Sequence, residues 1–174
     1  TGLTKLGIEK VPPMVTRGVL FDKTKVLGIE YLKAGQTFSV TDLQEAEKKQ
    51  GVKVQKGDVV LFHTGWTDAM LEKFPEKWGA EIPGLTPELA QYLADKEVIA
   101  VGSDTYGLDV IPPVNPMEPF QGHVILLQEN GIYILEAMNT GPLAKDKTYE
   151  FLFVLGQAKV RGAVQMYINP IAIK

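Results

Sequence analysis

The sequence predicts an α/β fold with a largely central sheet. Short, wholly apolar runs at residues 59–62, 98–102 and 132–135 read as strands buried on both faces. Between them lie segments with helix-type caps and helical spacing. Strands alternating with helices point to layered α/β architecture, in which chemistry gathers at the carboxyl ends of the strands.

The elements follow in chain order. Residues 15–21 read as a strand through Val15, Val19, Leu20 and Phe21, interrupted by Arg17-Gly18. Thr41, with Gln44 three residues on, has capping-box form and opens a helix over 42–50 that Gly51 ends. Lys56-Gly57-Asp58 turns the chain into the 59–62 strand. Residues 67–74 form a short helix, followed by a loop to Gly84. Thr86-Pro87-Glu88 starts the next helix, with a hydroxyl cap, a proline in the first turn and an acid at the positive end of the dipole. Its Leu89, Tyr92 and Leu93 share one face. After the 98–102 strand, residues 123–127 read as a helix closed by Gly131, and the 132–135 strand ends at Glu136. Residues 149–154 and 165–173 read as two final strands.

Composition excludes several function classes. The 174 residues carry 18 Lys plus Arg against 21 Asp plus Glu, a net charge of −3. Such a chain is most simply one domain burying roughly 70% of its unfolded surface. Its acidic balance argues against a nucleic-acid partner. With no cysteine there is no disulfide, thiol nucleophile or thiolate metal site, and the compartment is not legible from redox chemistry. No apolar stretch approaches the ~20 residues that span a bilayer, so a soluble chain without a membrane partner is expected, with the cytoplasm the favoured compartment. No Gly-x-Gly-x-x-Gly, P-loop or Gly-x-Ser-x-Gly motif occurs.

The carboxyl-end rule singles out four places: residues 63–66, residues 103–106, Glu136 with Asn139, and the loop preceding Asn169. His123 and Glu136 could share a divalent metal or act as an acid–base pair; the alternative is a hydrogen-bonded histidine, with Glu136 paired to a Lys or Arg. Asp104 and Asp109 flank Thr105-Tyr106-Gly107-Leu108, as paired acids for proton transfer or metal, or with Asp104 simply capping its turn. Trp66, beyond His63, offers an aromatic wall to a small ligand or packs as a rim tryptophan, and Tyr106 is a second such ring. His63 reads as structural.

Taken in order, several motifs together resemble one family. They are Val11-Pro12-Pro13-Met14-Val15-Thr16-Arg17-Gly18, Lys56-Gly57-Asp58-Val59-Val60-Leu61 with Thr64-Gly65-Trp66, Val101-Gly102-Ser103-Asp104-Thr105, His123 followed by Gly131 to Asn139, and Asn169-Pro170-Ile171-Ala172-Ile173. This set resembles the cyclase family, metal-dependent hydrolases related to kynurenine formamidase and isatin hydrolase. The resemblance implies a swivelling β/β/α domain over residues 1–174, a homo-oligomer, a zinc or manganese ion, and hydrolysis of a small amide, cyclic amide or formamide by metal-activated water. It implies His123 as metal ligand or proton relay, Glu136 as metal ligand, Trp66 near the substrate pocket and Asn139 in an outer supporting position; Asp104 joins Asn139 there and Tyr106 joins Trp66.

The family's main metal motif, His-x-Gly-Thr-His-x-Asp-x-x-x-His, lies upstream of the Pro-Pro-x-Val-x-Arg-Gly segment and has no counterpart among these 174 residues. The chain is therefore expected to be the C-terminal portion of such a hydrolase, relying on a missing N-terminal segment or a homo-oligomer for cover. The alternative is a truncated, inactive homologue serving as a binding or structural domain.

Overall fold

The computed structural model describes residues 7–174. The start of the chain, which bears on the expected upstream segment, lies outside the described residues. After a 3-10 turn at Ile8–Lys10 come β1 (Met14–Asp22), α1 (Lys23–Leu27), β2 (Thr37–Phe38), α2 (Val40–Gln50) and β3 (Val59–His63). Next are α3 (Trp66–Met70), α4 (Pro75–Trp78), β4 (Gly84–Leu85), α5 (Pro87–Asp95) and β5 (Ala100–Ser103). Then α6 (Gln121–His123) runs into a π-helical segment, Val124–Glu129, before β6 (Tyr133–Leu135), α7 (Gly141–Lys145), β7 (Glu150–Leu155) and β8 (Ile171–Ile173).

The main sheet has the order β6-β5-β3-β1-β7-β8. Its first four strands are parallel, β7 is antiparallel to β1, and β8 is antiparallel to β7. A separate parallel pair joins β2 to β4. All five residues of β3 are buried, because side chains alternate between two covered faces. Val60 and Phe62 join Val19, Phe21 and Phe38 under α2 and α5, while Val59 and Leu61 join Leu20, Phe151 and Phe153 on the opposite side. The Phe38 and Phe62 rings meet edge to face at 4.5 Å. Truncating either to alanine is worth about 3–5 kcal/mol.

The Arg17-Gly18 interruption in β1 has a packing reason. Arg17 straps the strand to its neighbours, with Nη1 2.9 Å from Asp58 and Nη2 2.8 Å from Glu150. A Cβ at Gly18 would lie 2.3 Å from the Phe151 ring. On the helix side, the β1–β7–β8 end of the sheet is bare: Val15 and Ile171 flank Val154 in one row, and Leu152 and Ile173 follow in the next, all four outer residues exposed.

Several expectations need correction. The α2 cap is Ser39, not Thr41: Ser39 Oγ accepts from the Asp42 N–H at 3.2 Å, and Asp42 Oδ2 accepts from the Ser39 N–H at 2.8 Å. Aspartate fills the reciprocal position expected for Gln44, which starts the helix earlier. The helix expected over 67–74 stops at Met70, and a second short helix, α4, opens at Pro75 within the stretch expected as a loop. The strand expected over 165–173 is reduced to β8, after Pro170, which has no N–H to donate to a ladder. Among the described residues no helix is long and apolar enough to cross a membrane.

The small β2–β4 sheet presses on the chain beyond β5. A Cβ at Gly84 would lie 2.4 Å from Val110 N and 2.5 Å from Asp109 C, both backbone atoms. Gly84→Ala is therefore expected to lower the unfolding free energy by about 1–3 kcal/mol. Gly79→Ala, whose Cβ meets nothing nearer than 3.8 Å, should stay within about 0.5 kcal/mol. Urea unfolding of the two variants measures this, and equal losses would refute the close approach at Gly84.

Candidate active site at the carboxyl edge of the sheet

The register that buries the central strands also lines up their ends. Asp22 pairs with His63, Phe62 with Ser103, and Gly102 with Leu135, so Asp22, His63, Ser103 and Glu136 leave the sheet along one edge. Gly65, at φ 70°, turns the chain sharply after β3; a Cβ there would lie 2.6 Å from the Glu30 carbonyl oxygen. Phe120, at φ 59°, precedes α6, and Ala137, at φ 51°, follows Glu136. Left-handed backbone at a residue other than glycine costs about 1–2 kcal/mol. Strain thus sits on the approaches to both His123 and Glu136.

Two aspartate–histidine pairs occupy this edge. In the first, Asp104 is buried and its Oδ1 accepts from the Thr64 N–H and hydroxyl, each at 2.8 Å. Its Oδ2 lies 3.9 Å from His63 Nδ1 and has no hydrogen-bond partner among the described residues. His63 Nδ1 is instead 2.8 Å from the Thr140 hydroxyl. Burial pushes the Asp104 carboxyl above its ordinary value, against the pull of the nearby His63.

The second pair is the more elaborate. Asp109 accepts from the Gly122 N–H at 2.7 Å and the His123 N–H at 3.1 Å, and its Oδ2 lies 2.5 Å from His123 Nδ1. On the far side of the ring, Nε2 is 3.3 Å from Glu136 Oε1. An imidazole between two carboxylates holds its proton tightly. Hydrogen bonds to Asp109 and then Glu136, opposed by burial, raise His123 to about 9.

The expected pairing of His123 with Glu136 is present in the geometry. Two ligands about 2.1 Å from a zinc ion at a tetrahedral angle stand about 3.4 Å apart, close to the observed 3.3 Å. The pair thus fits two of four coordination positions. Among the described residues no group of three or more His, Cys, Asp or Glu could hold a metal ion, so the centre is not completed by them.

The remaining expected residues lie elsewhere. Asp104 attends His63 rather than the His123–Glu136 pair. Asn139 is exposed and lines, with Glu136, Met138 and Phe153, a cavity of about 490 Å³. Trp66 is buried, 6.3 Å ring to ring from Tyr31, with Nε1 donating to the Trp78 carbonyl at 3.4 Å. Tyr106 packs edge-on against Trp78 at 5.6 Å. These rings form a packed cluster and line neither this cavity nor a second one of about 290 Å³ beside Asp109. Asp109 was legible only as one of two flanking acids, and nothing in its spacing tied it to His123.

The raised value of His123 has a stability consequence. A folded-state value above the ordinary 6.5 means that protonation contributes stability in full below pH 6.5, and that this is lost as pH rises through about 9. An NMR titration of the His123 ring in metal-free protein should show a midpoint near 9, moved down toward the ordinary value by Glu136→Gln. A wild-type midpoint at or below 6.5 would refute the two-carboxylate environment.

The fold has relatives. Residues 3–110 match the Cyclase family model, described as "Putative cyclase". A solved structure described as a novel cyclase is 30% identical with a TM-score of 0.84, the match covering 98% of this chain and 57% of that one. Isatin hydrolase A from Ralstonia solanacearum is 21% identical with a TM-score of 0.78, over 97% of this chain and 64% of that one. A potential metal-dependent hydrolase with cyclase activity is 22% identical with a TM-score of 0.65, over 93% and 67%. No curated protein gives a significant match. The chain spans about three-fifths of the length of the first two structures. With well over half of its residues matched by the family model, the chain belongs to the cyclase family.

Proposed function

We propose that this chain contributes His123 and Glu136 to the reactive centre of a metal-dependent hydrolase that cleaves a small amide, cyclic amide or formamide. The observation that carries this reading is the convergence of His123 Nε2 and Glu136 Oε1 at 3.3 Å, at the carboxyl edge of the sheet, with Asp109 fixing the other side of the ring. A zinc or manganese ion held in part by these two groups would supply polarisation of the amide carbonyl and a more acidic water.

The chain's own residues handle protons. Amide cleavage needs a proton delivered to the departing nitrogen. While no ion sits on Nε2, the His123 ring, charged at neutral pH between Asp109 and Glu136, holds one there, so that Nε2 serves as proton carrier or as metal ligand but not as both at once. With the proton gone, the same nitrogen is a ligand for a cation. Glu136 lines the cavity of about 490 Å³ as well as facing His123, so a substrate seated among Met138, Leu61 and Phe153 lies beside the carboxylate. The rival reading is a catalytically silent cyclase-like domain serving as a binding or structural module.

The test uses the longest natural form of the protein, loaded with zinc or manganese, against a panel of formamides and small cyclic amides. Hydrolysis should disappear on chelation and return with metal. His123→Ala and Glu136→Ala should each lower kcat/KM by about 10²–10⁴-fold without loss of folding. Hydrolysis that survives both substitutions would sink the proposal, and a protein inert toward the whole panel would favour the binding-domain reading.

A further inference from the structure

We infer that Asp109 is the positioning residue of this site: its carboxylate sets both the backbone place and the ring orientation of His123, so that only Nε2 is presented to Glu136. The inference rests on the reading of His123 as the reactive ring.

Three bonds from one side chain converge on two residues. Oδ1 accepts from the Gly122 N–H at 2.7 Å; Oδ2 accepts from the His123 N–H at 3.1 Å and faces Nδ1 at 2.5 Å. The backbone bonds fix where His123 begins, and the ring bond fixes how far it turns. The approach requires glycine at 122, because a Cβ there would lie 2.4 Å from Asp109 Oδ1.

Asp109 is itself held. It forms a parallel bridge with Leu85, whose N–H donates to the Leu108 carbonyl at 2.9 Å, and Gly84 presses against its backbone. Rigidity thus passes from the small β2–β4 sheet through Asp109 to the ring. Phe120 packs edge-on against the other flank of His123 at 6.0 Å.

The two carboxylates are unequal partners. Asp109 is 2.5 Å from the ring and its side chain is 8% exposed; Glu136 is 3.3 Å away and 36% exposed. The shorter bond in the drier setting is the stronger. When the ring is neutral, its one proton therefore stays on Nδ1, toward Asp109, and Nε2 keeps a free lone pair. An outer carboxylate that fixes a histidine tautomer in this way supports ligation or proton transfer through the other nitrogen.

The experiment is nitrogen-15 NMR of the His123 ring in metal-free protein, at a pH well above the ring's value of about 9. Wild type should show the proton on Nδ1. In Asp109→Ala the acceptor facing Nδ1 is gone while Glu136 still accepts at Nε2, so the proton should move to Nε2. A wild-type neutral ring carrying its proton on Nε2, or no change of tautomer in Asp109→Ala, overturns the inference. Should that variant fail to fold, the wild-type tautomer alone decides. Hydrolysis plays no part in the measurement. A protein that cleaves no amide yet shows the switch loses the hydrolase reading and keeps this one.

Discussion

Burial of β1, β3 and β5 on both faces is the constraint from which the rest follows. Leu20, Val59, Leu61 and Ala100 face one layer, while Val19, Phe21, Val60, Phe62 and Val101 face the other. A slip of one residue would exchange the two sets and empty both cores, so the register is tightly specified. Because these strands are parallel, a fixed register also fixes their carboxyl ends abreast. His63, Ser103 and Glu136 are neighbours for that reason, although 40 and 33 residues separate them in sequence. Asp104 follows β5 directly, while the long stretch between β5 and α6 brings Asp109 and His123 back to the same edge.

At that edge, two histidines meet two aspartates with different outcomes. Asp104 spends one oxygen on Thr64 and leaves the other without a partner, while His63 turns to Thr140 inside the protein. Asp109 spends its oxygens on Gly122 and on the backbone and ring of His123. The difference in exposure matters: the His63 side chain is 8% exposed and that of His123 is 30%. Only the second ring is both pinned and reachable. Strained backbone at Phe120 and Ala137 brackets the same pair, and such strain persists where surrounding structure over-determines it.

Much of the framework was legible in the sequence because burial on both faces writes a continuous apolar run. The strand at residues 59–63 carries that signature, while the 150–155 strand alternates buried and exposed residues and α5 is announced by its Thr86 cap. The two-residue strands β2 and β4 are too short to show any period, yet they hold the backbone that carries Asp109. Glu136 was legible as a chemically able residue at a strand end, and His123 as one at the start of an apolar helix. Asp109 was not legible as their partner, because a carboxylate arriving from a loop leaves no spacing pattern. Trp66 and Tyr106 show the reverse case: residue type announces an aromatic wall, but a neighbouring tryptophan, Trp78, takes up both as packing partners. Residue type identifies what a side chain can do; the fold determines what it is given to do.

The row Asp109–His123–Glu136 is a unit in its own right, apart from any ion that the proposal would place beside it. Two donors 3.3 Å apart leave the coordination of an ion incomplete among the described residues. The same two donors with Asp109 behind them already form a complete proton-holding unit, since an imidazolium between two carboxylates has an acceptor at each ring nitrogen. Glu136 is the joint between that unit and the cavity of about 490 Å³, being bonded to the ring on one side and lining the cavity on the other. A ligand entering among Leu61, Met138 and Phe153 meets the carboxylate before it can meet the ring. Asp109, buried and held by the small sheet, keeps the ring's orientation fixed while that happens.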